Sequence, residues 1–341
     1  MNLKELSEKL GLSQTTVSRA LNGYPEVNEK TRQRVQDAAH KYNYRPSTIA
    51  QNLATGKANA IGHILPLSQQ EIINPIFTDF IAGAGEVYSE NGYHMVLSVV
   101  SDQNEETAYR DMVTKRLVDG VIVHGPRLPD PRIKVLKELN LPFVVHGRSE
   151  EDHPDHSWMD VNNTSAFRRA TDLLIDLGHT RIALLNGIEK MGFAMRRRTG
   201  FEDALRASGL TPDPSIIRSA DMTERYGYIT AAEMMDAPDA PTAFLVSSTI
   251  VAMGVQRLLL DRGLQMGKDV SVVTYDDQIS YLHVGGEVPM FTSTRSSIRD
   301  AGTRCAQMLI DLISGQSQSP IHELWEAELT LGSSTGPAPQ S

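Results

Sequence analysis

The chain has 341 residues, about twice the usual domain size, so two or three folded units are expected. With 40% hydrophobic, 22% charged and 6% aromatic residues, the composition excludes collagenous and largely disordered classes. No stretch approaches the roughly eighteen apolar residues of a membrane span, and the single cysteine, Cys305, excludes disulfide frameworks and thiolate metal cages. The start, Met1 to Leu10, is amphipathic with acids inside it, so no signal peptide is expected and a cytoplasmic location is. A net charge of −9, taken whole, argues against a nucleic-acid binder. The average conceals a split: residues 1–58 hold nine Lys/Arg against five acids, which leaves 24 basic and 37 acidic residues in the remainder. A small basic head on a large acidic body implies that only the head meets a polyanion.

Asn2 can cap a first helix whose Leu3, Leu6 and Leu10 share one face, and Gly11 breaks it. A second helix from Ser13 to Leu21 buries Val17 and Leu21 and turns Gln14, Thr15, Ser18, Arg19 and Asn22 outward. Gly in the intervening turn makes the pair a helix-turn-helix. A third helix from Asn28 supplies Val35, Ala38, Ala39 and Tyr42 to the inside. After Pro46, residues 47–56 form an amphipathic stretch too short to persist alone as a helix.

The runs Ser13 to Gly23, Val27 to Val35 and Tyr42 to Pro46 resemble the DNA-binding headpiece of the LacI/GalR family of bacterial transcription regulators. The resemblance implies a second helix that reads the major groove through Gln14, Thr15 and Arg19. Those identities suit the task, since Arg donates two bonds to a guanine edge and Gln pairs with adenine. It further implies backbone contacts from Thr16, Ser18, Asn22, Thr31 and Tyr44, and a hinge helix that orders on operator DNA with Ala50 and Leu53 in the minor groove, Leu53 as the apolar wedge.

Beyond residue 59, short β-branched runs alternate with amphipathic helical patterns. Strands are expected at 60–65, 93–99, 120–123, 142–146, 181–185, 242–246 and 270–274. Helices are expected at 75–90, 105–116, 164–177, 198–208 and 250–262. This rhythm gives parallel sheets covered by crossover helices. Such sheets bind ligands at the carboxyl ends of their strands, so a cleft between two of them is the expected pocket.

The body resembles the family's effector-binding core, through Asn74-Pro75-Ile76-Phe77, Asp119 to Ile122, Leu177 to Ala183, Arg197 to Phe201, Val270 to Asp277 and Ser334 to Pro337. The expected fold is thus an all-α helix-turn-helix headpiece (1–46), a hinge helix and linker (47–58) and an α/β periplasmic-binding-protein-like core (59–341). The core has two doubly wound parallel-sheet subdomains, about 59–160 plus 293–320 and about 161–292 plus 321–333. The resemblance implies effector contacts from Ile76, Phe77, Asn162, Arg197, Met222, Ser248 and Asp276. Asn162, Met222 and Ser248-Thr249 depart from the family's frequent Asp, aromatic and Asn-Asp, so no effector identity carries over.

Other chemistry is set aside. Gly332 to Gly336 has the spacing of a serine-hydrolase elbow but is followed by Pro337 rather than a helix. Gly83-Ala84-Gly85 lacks the third glycine of a dinucleotide loop and reads as packing. His153 and His156 read as a surface connection rather than a metal site, and Cys305 reads as core. No cofactor, metal or catalytic group is expected. The expectation is a homodimeric regulator, most simply a repressor of carbohydrate uptake or catabolic genes, bound to a pseudo-palindromic operator and controlled by a small sugar, with α-glucosides as the first trial. The chain ends without the leucine heptad of the family's tetramers, which favours a dimer. The alternatives are a sugar receptor without a DNA role, an enzyme working in the cleft, and a regulator responding to a purine or phosphorylated metabolite.

Overall fold

The computed structural model describes residues 1–44, 56–67, 75–149, 155–280, 282, 286–317 and 319–339. They divide into two compact units, Met1–Asn59 and Ala60–Ser341. In the first, α1 (Leu3–Leu10), α2 (Gln14–Leu21) and α3 (Glu29–Lys41) each begin at a polar cap. Asn2 and Glu5 cap reciprocally, Ser13 Oγ accepts the Thr16 amide at 3.0 Å, and Asn28 Oδ1 accepts the Thr31 amide at 2.8 Å. Each cap contributes about 1 kcal/mol. Gly11, at φ 62°, supplies the left-handed turn expected between α1 and α2.

Leu6, Leu10, Val17, Ala20, Val35, Ala38 and Ala39 form this unit's core. Two inward positions differ from the sequence expectation. Ala20 is buried in α2 while Leu21 is half-buried, and Tyr42 is exposed while Tyr44 packs on the core. The chain reverses after α3 because Asn43 takes φ 47° and the Tyr44 amide donates to Ala39 O at 2.8 Å. That brings Tyr44 inward and leaves the Tyr42 ring beside the ammonium groups of Lys9 and Lys41, at 4.9 and 5.6 Å. Ala50 and Leu53, and with them the expected hinge helix, lie outside the described residues.

The second unit opens with β1 (Ala60–Pro66), α4 (Pro75–Glu90), β2 (His94–Val100), α5 (Glu105–Thr114), β3 (Gly120–His124), α6 (Pro131–Glu138), β4 (Phe143–His146) and β5 (Ser157–Val161). It continues with α7 (Asn163–Asp176), β6 (Ile182–Asn186), α8 (Gly192–Ala207), β7 (Ile217–Ser219), α9 (Glu224–Met235), β8 (Ala243–Val246) and α10 (Thr249–Asp261). The remaining elements are β9 (Ser271–Asp276), β10 (Thr292–Arg295), α11 (Ile298–Ser314), β11 (His322–Trp325) and β12 (Glu328–Thr330). Two six-stranded sheets result, in the orders β11-β5-β4-β3-β1-β2 and β12-β10-β9-β8-β6-β7. Every pairing is parallel except that of β12 with β10. Helices cover both faces of the second sheet: α9 and α10 enclose Phe244, Val246 and Val272 on one, and α7 and α8 enclose Leu184, Leu245 and Val273 on the other.

The chain crosses between the sheets three times: after β5, between β10 and α11, and between β11 and β12. These points correct the boundaries read from sequence. β10 belongs wholly to the second sheet, and β11, which the sequence reading assigned to the second subdomain, runs parallel to β5 in the first. Its four residues alternate between exposed and half-buried, so its own pattern is weak and its partner decides its place. α8 also begins at Gly192, not at 198, which sets Arg197 inside the helix.

The set-aside motifs resolve structurally. Ser334 is fully buried, its Oγ donating to Val272 O at 2.5 Å and accepting the Thr292 amide at 2.8 Å, so it fastens the chain end to the second sheet. Cys305, on α11, is fully buried in the core that α11 shares with α4. His156 is buried against Phe143, with ring centroids 5.5 Å apart, rather than on the surface as expected, because it leads directly into β5; His153 lies outside the described residues. Among the described residues no group of three or more His, Cys, Asp or Glu side chains could hold a metal.

α4 and α11 cross with their backbones in near contact. A Cβ at Gly83 would collide with the Arg299 carbonyl, and one at Gly302 with the Phe80 carbonyl. Overpacking at such a site costs about 1–3 kcal/mol. Gly302→Ala is therefore expected to lower the melting temperature by several degrees in calorimetry, while Gly315→Asn, at an open helix end, lowers it less.

Candidate functional sites

Each unit carries one face with functional character. In the first, Gln14, Thr15 and Arg19 are exposed along α2, and Thr16, Ser18, Asn22, Thr31 and Tyr44 are half-buried around it. Arg32 and Arg34 are spent on structure: Arg32 Nη2 donates to Tyr24 O at 3.1 Å and Arg34 Nη2 to Leu10 O at 2.7 Å. Arg19 has no hydrogen bond or ion pair among the described residues, which leaves its fork of donors available. Thr16 Oγ1 lies 2.8 Å from Ser13 Oγ, and Asn22 Nδ2 donates to Ser18 Oγ at 3.4 Å, so these polar groups also brace the helix that presents the three exposed side chains.

In the second unit a cavity of about 420 Å³ lies between the sheets. It opens at the carboxyl ends of strands, beside the points where strand order reverses: β1/β3 in the first sheet and β6/β8 in the second. Its first-sheet wall is aromatic, made by Phe77 and Phe80 of α4, His124 at the end of β3 and His146 at the end of β4. The Phe77 and Phe80 rings stand edge-on to His124 at 5.1 and 4.8 Å, and Phe80 lies against His146 at 4.6 Å. Burial pushes the His146 imidazole down to about 4, so the ring is neutral near pH 7.

The second-sheet wall is built on Arg197. Its Nε donates to Asn163 Oδ1 and its Nη1 to Ser247 O, each at 2.7 Å, and the guanidinium lies 3.9 Å from the centre of the Tyr275 ring. Burial lowers its pKa, an effect opposed by Tyr275 and Asp277. Asp277 lines the cavity, and enclosure by the protein pushes its carboxyl up to about 7 despite Arg197. On the first-sheet side, at the end of β5, Asp160 also lines the cavity and receives Arg148 Nε at 2.9 Å, and burial raises its carboxyl too. Asp221 and Glu224 complete an acidic rim, and Arg197 is the one Lys or Arg among the described lining residues. Ser248 Oγ accepts the Val251 amide at 3.3 Å as the cap of α10, which leaves its hydroxyl proton for another partner.

Of the seven effector positions read from sequence, the structure brings Ile76, Phe77, Arg197, Met222 and Ser248 to this cavity. Asn162 and Asp276 are not among its lining and require correction. Asn162 caps α7 and donates to Glu326 Oε1 at 2.5 Å across the chain crossing, and Asp276 accepts the Gln278 amide at 2.9 Å. Their neighbours Asn163 and Asp277 face the cavity instead, because successive residues at a strand end point to opposite sides. Of the three successive arginines, Arg196 and Arg197 are buried, while Arg198 makes surface pairs with Glu189 and Glu202. Sequence reasoning missed Phe80, His124, His146, Asp160, Phe193 and Tyr275. The signal for the two histidines was present, since each sits at or just past the carboxyl end of an expected parallel strand.

Contacts also run between the sheets around the cavity. Asp79 of α4, buried, accepts both the amide and the hydroxyl of Ser280 at 2.5 Å. Opposite, the Gly192 amide donates to Pro126 O at 2.9 Å, and Arg196 Nη1 to Arg148 O at 3.0 Å.

Known proteins share this arrangement. Residues 2–47 match the model of bacterial regulatory proteins of the lacI family, and residues 171–335 match a periplasmic binding protein-like domain. The chain is 46% identical to the HTH-type transcriptional regulator AglR of Rhizobium meliloti (strain 1021), over 99% of this chain and 95% of that protein. It is 34% identical to the HTH-type transcriptional regulator RafR of Escherichia coli, over 95% and 96%. Among solved structures, the lac repressor dimer bound to operator and the anti-inducer ONPF is similar with a TM-score of 0.83 at 26% identity, covering 98% of this chain and 99% of that one. A CelR-cellobiose complex is similar with a TM-score of 0.71 at 27% identity, over 98% and 99%. With an exposed polar recognition face on a capped three-helix unit, a cavity between two parallel sheets, and relatives alike over nearly its full length, the chain belongs to the LacI family of DNA-binding transcriptional regulators.

Proposed function

We propose that this regulator binds a pseudo-palindromic operator as a homodimer, represses genes of carbohydrate uptake or breakdown, and is controlled by an uncharged sugar held in the cavity between its sheets. The observation that carries the ligand class is the contrast between the cavity walls. The aromatic and neutral imidazole groups suit the apolar faces of a pyranose, and Arg197, Asn163, Ser248 and the cavity carboxylates suit its hydroxyls. A phosphorylated effector fits poorly. It would add negative charge beside the carboxyl groups of Asp160, Asp221, Glu224 and Asp277, where Arg197 is the one Lys or Arg among the described lining residues and already has two nitrogens committed. The CelR-cellobiose complex supports a ligand of disaccharide size, and α-glucosides are the first class to try. Twofold symmetry in the protein demands it in the DNA, as the operator-bound lac repressor dimer illustrates, and such a protein works in the cytoplasm, where the DNA is. The sugar controls DNA affinity only through its different affinity for two arrangements of the protein.

A thermal-shift screen of maltose, sucrose, trehalose, melibiose and cellobiose tests the cavity. A ligand at 100 times its Kd stabilises by about 2.7 kcal/mol, which shifts a protein of this size by several degrees. Arg197→Lys is expected to lose most of that shift while remaining folded. A full shift in the variant removes the cavity assignment, and a shift with a sugar phosphate or a purine nucleoside alone removes the sugar.

On the DNA side, Arg19→Ala is expected to cost about 1–3 kcal/mol on operator DNA, concentrated at one base pair of each half-site, in a mobility-shift titration against single-base operator variants. A uniform loss across all variants would make Arg19 a backbone contact instead.

Asp277 adds a pH signature. Its carboxyl, raised to about 7 in the folded chain, binds a proton there that the unfolded chain has already released, so its contribution to stability falls as pH rises from about 4 to 7. Asp277→Asn is expected to gain in melting temperature over the parent across that window and to hold the gain above it. An advantage that does not grow with pH contradicts the enclosure of this carboxyl.

A further inference from the structure

Behind the aromatic wall lie two buried side chains that do not line the cavity: His63 on β1, 0% exposed, and Tyr88 on α4, 1% exposed. His63 Nδ1 lies 2.9 Å from His124 Nε2, and His63 Nε2 lies 3.1 Å from Tyr88 Oη. His124 thus commits Nε2 away from any ligand, and Nδ1 is the ring nitrogen it retains. The His63 and His124 rings are stacked at 5.2 Å, and Phe77 and Phe80 bracket His124 edge-on, so packing holds its orientation.

A contact of this length between two ring nitrogens contains one proton, because two lone pairs or two N–H groups facing each other repel. Burial holds both rings neutral. It pushes His63 down to about 4 and His124 well below its usual value, the latter helped by His63, His146 and Arg132. A neutral imidazole carries one N–H, so two arrangements remain. In one, His63 Nδ1–H donates to His124 Nε2, the Tyr88 hydroxyl donates to His63 Nε2, and His124 carries its proton on Nδ1. In the other, His124 Nε2–H donates to His63 Nδ1, His63 Nε2–H donates to Tyr88 Oη, and His124 Nδ1 is a bare acceptor. Both arrangements hold the same number of protons, and in both the two histidines share one tautomer.

We propose that Tyr88 and His63 form a buried relay that sets whether His124 offers a hydrogen-bond donor or an acceptor to the ligand, which makes them positioning residues for the specificity of the cavity. The relay rests on the cavity reading above only for its ligand, a sugar whose hydroxyls accept either polarity.

Nitrogen-15 spectroscopy of the full chain with labelled histidine decides it without any ligand. Expected are neutral His63 and His124 between about pH 6 and 8, with like tautomers, and a shift of the His124 tautomer populations in Tyr88→Phe. Unlike tautomers in the unmodified chain, or an unchanged His124 signature in a folded Tyr88→Phe chain, overturn the relay. With maltose and sucrose as probes, a sugar that binds is expected to convert both histidines together, and one that binds and converts a single histidine overturns it. Failure of every sugar to bind counts against the proposed effector, while the relay still stands or falls on the ligand-free spectra.

Discussion

A buried guanidinium has to be hydrogen-bonded and faced by compensating charge, and meeting that demand for Arg197 organises the middle of the larger unit. Its partners come from four places in the chain: Asn163 at the start of α7, the Ser247 carbonyl after β8, the Tyr275 ring in β9 and Asp277 just beyond it. Each is at or beside the carboxyl end of a strand, so the cation sits where parallel strands deliver polar groups to a crevice. Deleting it would leave Asn163, a backbone carbonyl and a carboxylate without their partner in an enclosed site. The same residue that offers a donor to the proposed ligand thus holds the wall that ligand meets.

The cavity is shared by two sheets that are joined by three short crossings and, among the described residues, bonded across the cleft at several points, the Arg127–Met191 bridge included. Asp79 with Ser280, and Pro126 and Arg148 with Gly192 and Arg196, are among the contacts a change in cleft opening would break. These are hydrogen bonds, each contributing about 1 kcal/mol net and more where a carboxylate accepts. A ligand that touches both walls has enough binding energy to reweight such an equilibrium, provided it favours one arrangement over the other.

How much was legible in the sequence follows from how local each signal is. Caps at Asn2, Ser13 and Asn28, the turn at Gly11, and strands such as 120–124 and 243–246 are written in neighbouring residues. β11 and β7 are short edge strands, and nothing within four or three residues says which sheet they join. The shift from Asn162 and Asp276 to Asn163 and Asp277 has a similar origin. A family resemblance locates a strand end, while the pleat and the start of the next element decide which of two adjacent side chains turns inward. Tyr42 and Tyr44 show the same limit at a helix end, where a left-handed Asn43 reverses the stripe that periodicity extends.

The sequence by itself determined the basic three-helix head with its outward Gln14, Thr15 and Arg19, and the strand-helix rhythm of the acidic body. Those properties depend on spacing, capping and charge along a few turns of chain. Only the tertiary structure decided that His63, Tyr88 and His124 meet, that Gly83 and Gly302 let two helices touch, and that Asp160, Asp277 and Arg197 share one enclosed space. These pairs are separated by 25 to more than 200 residues, and no local pattern carries the register that brings them together.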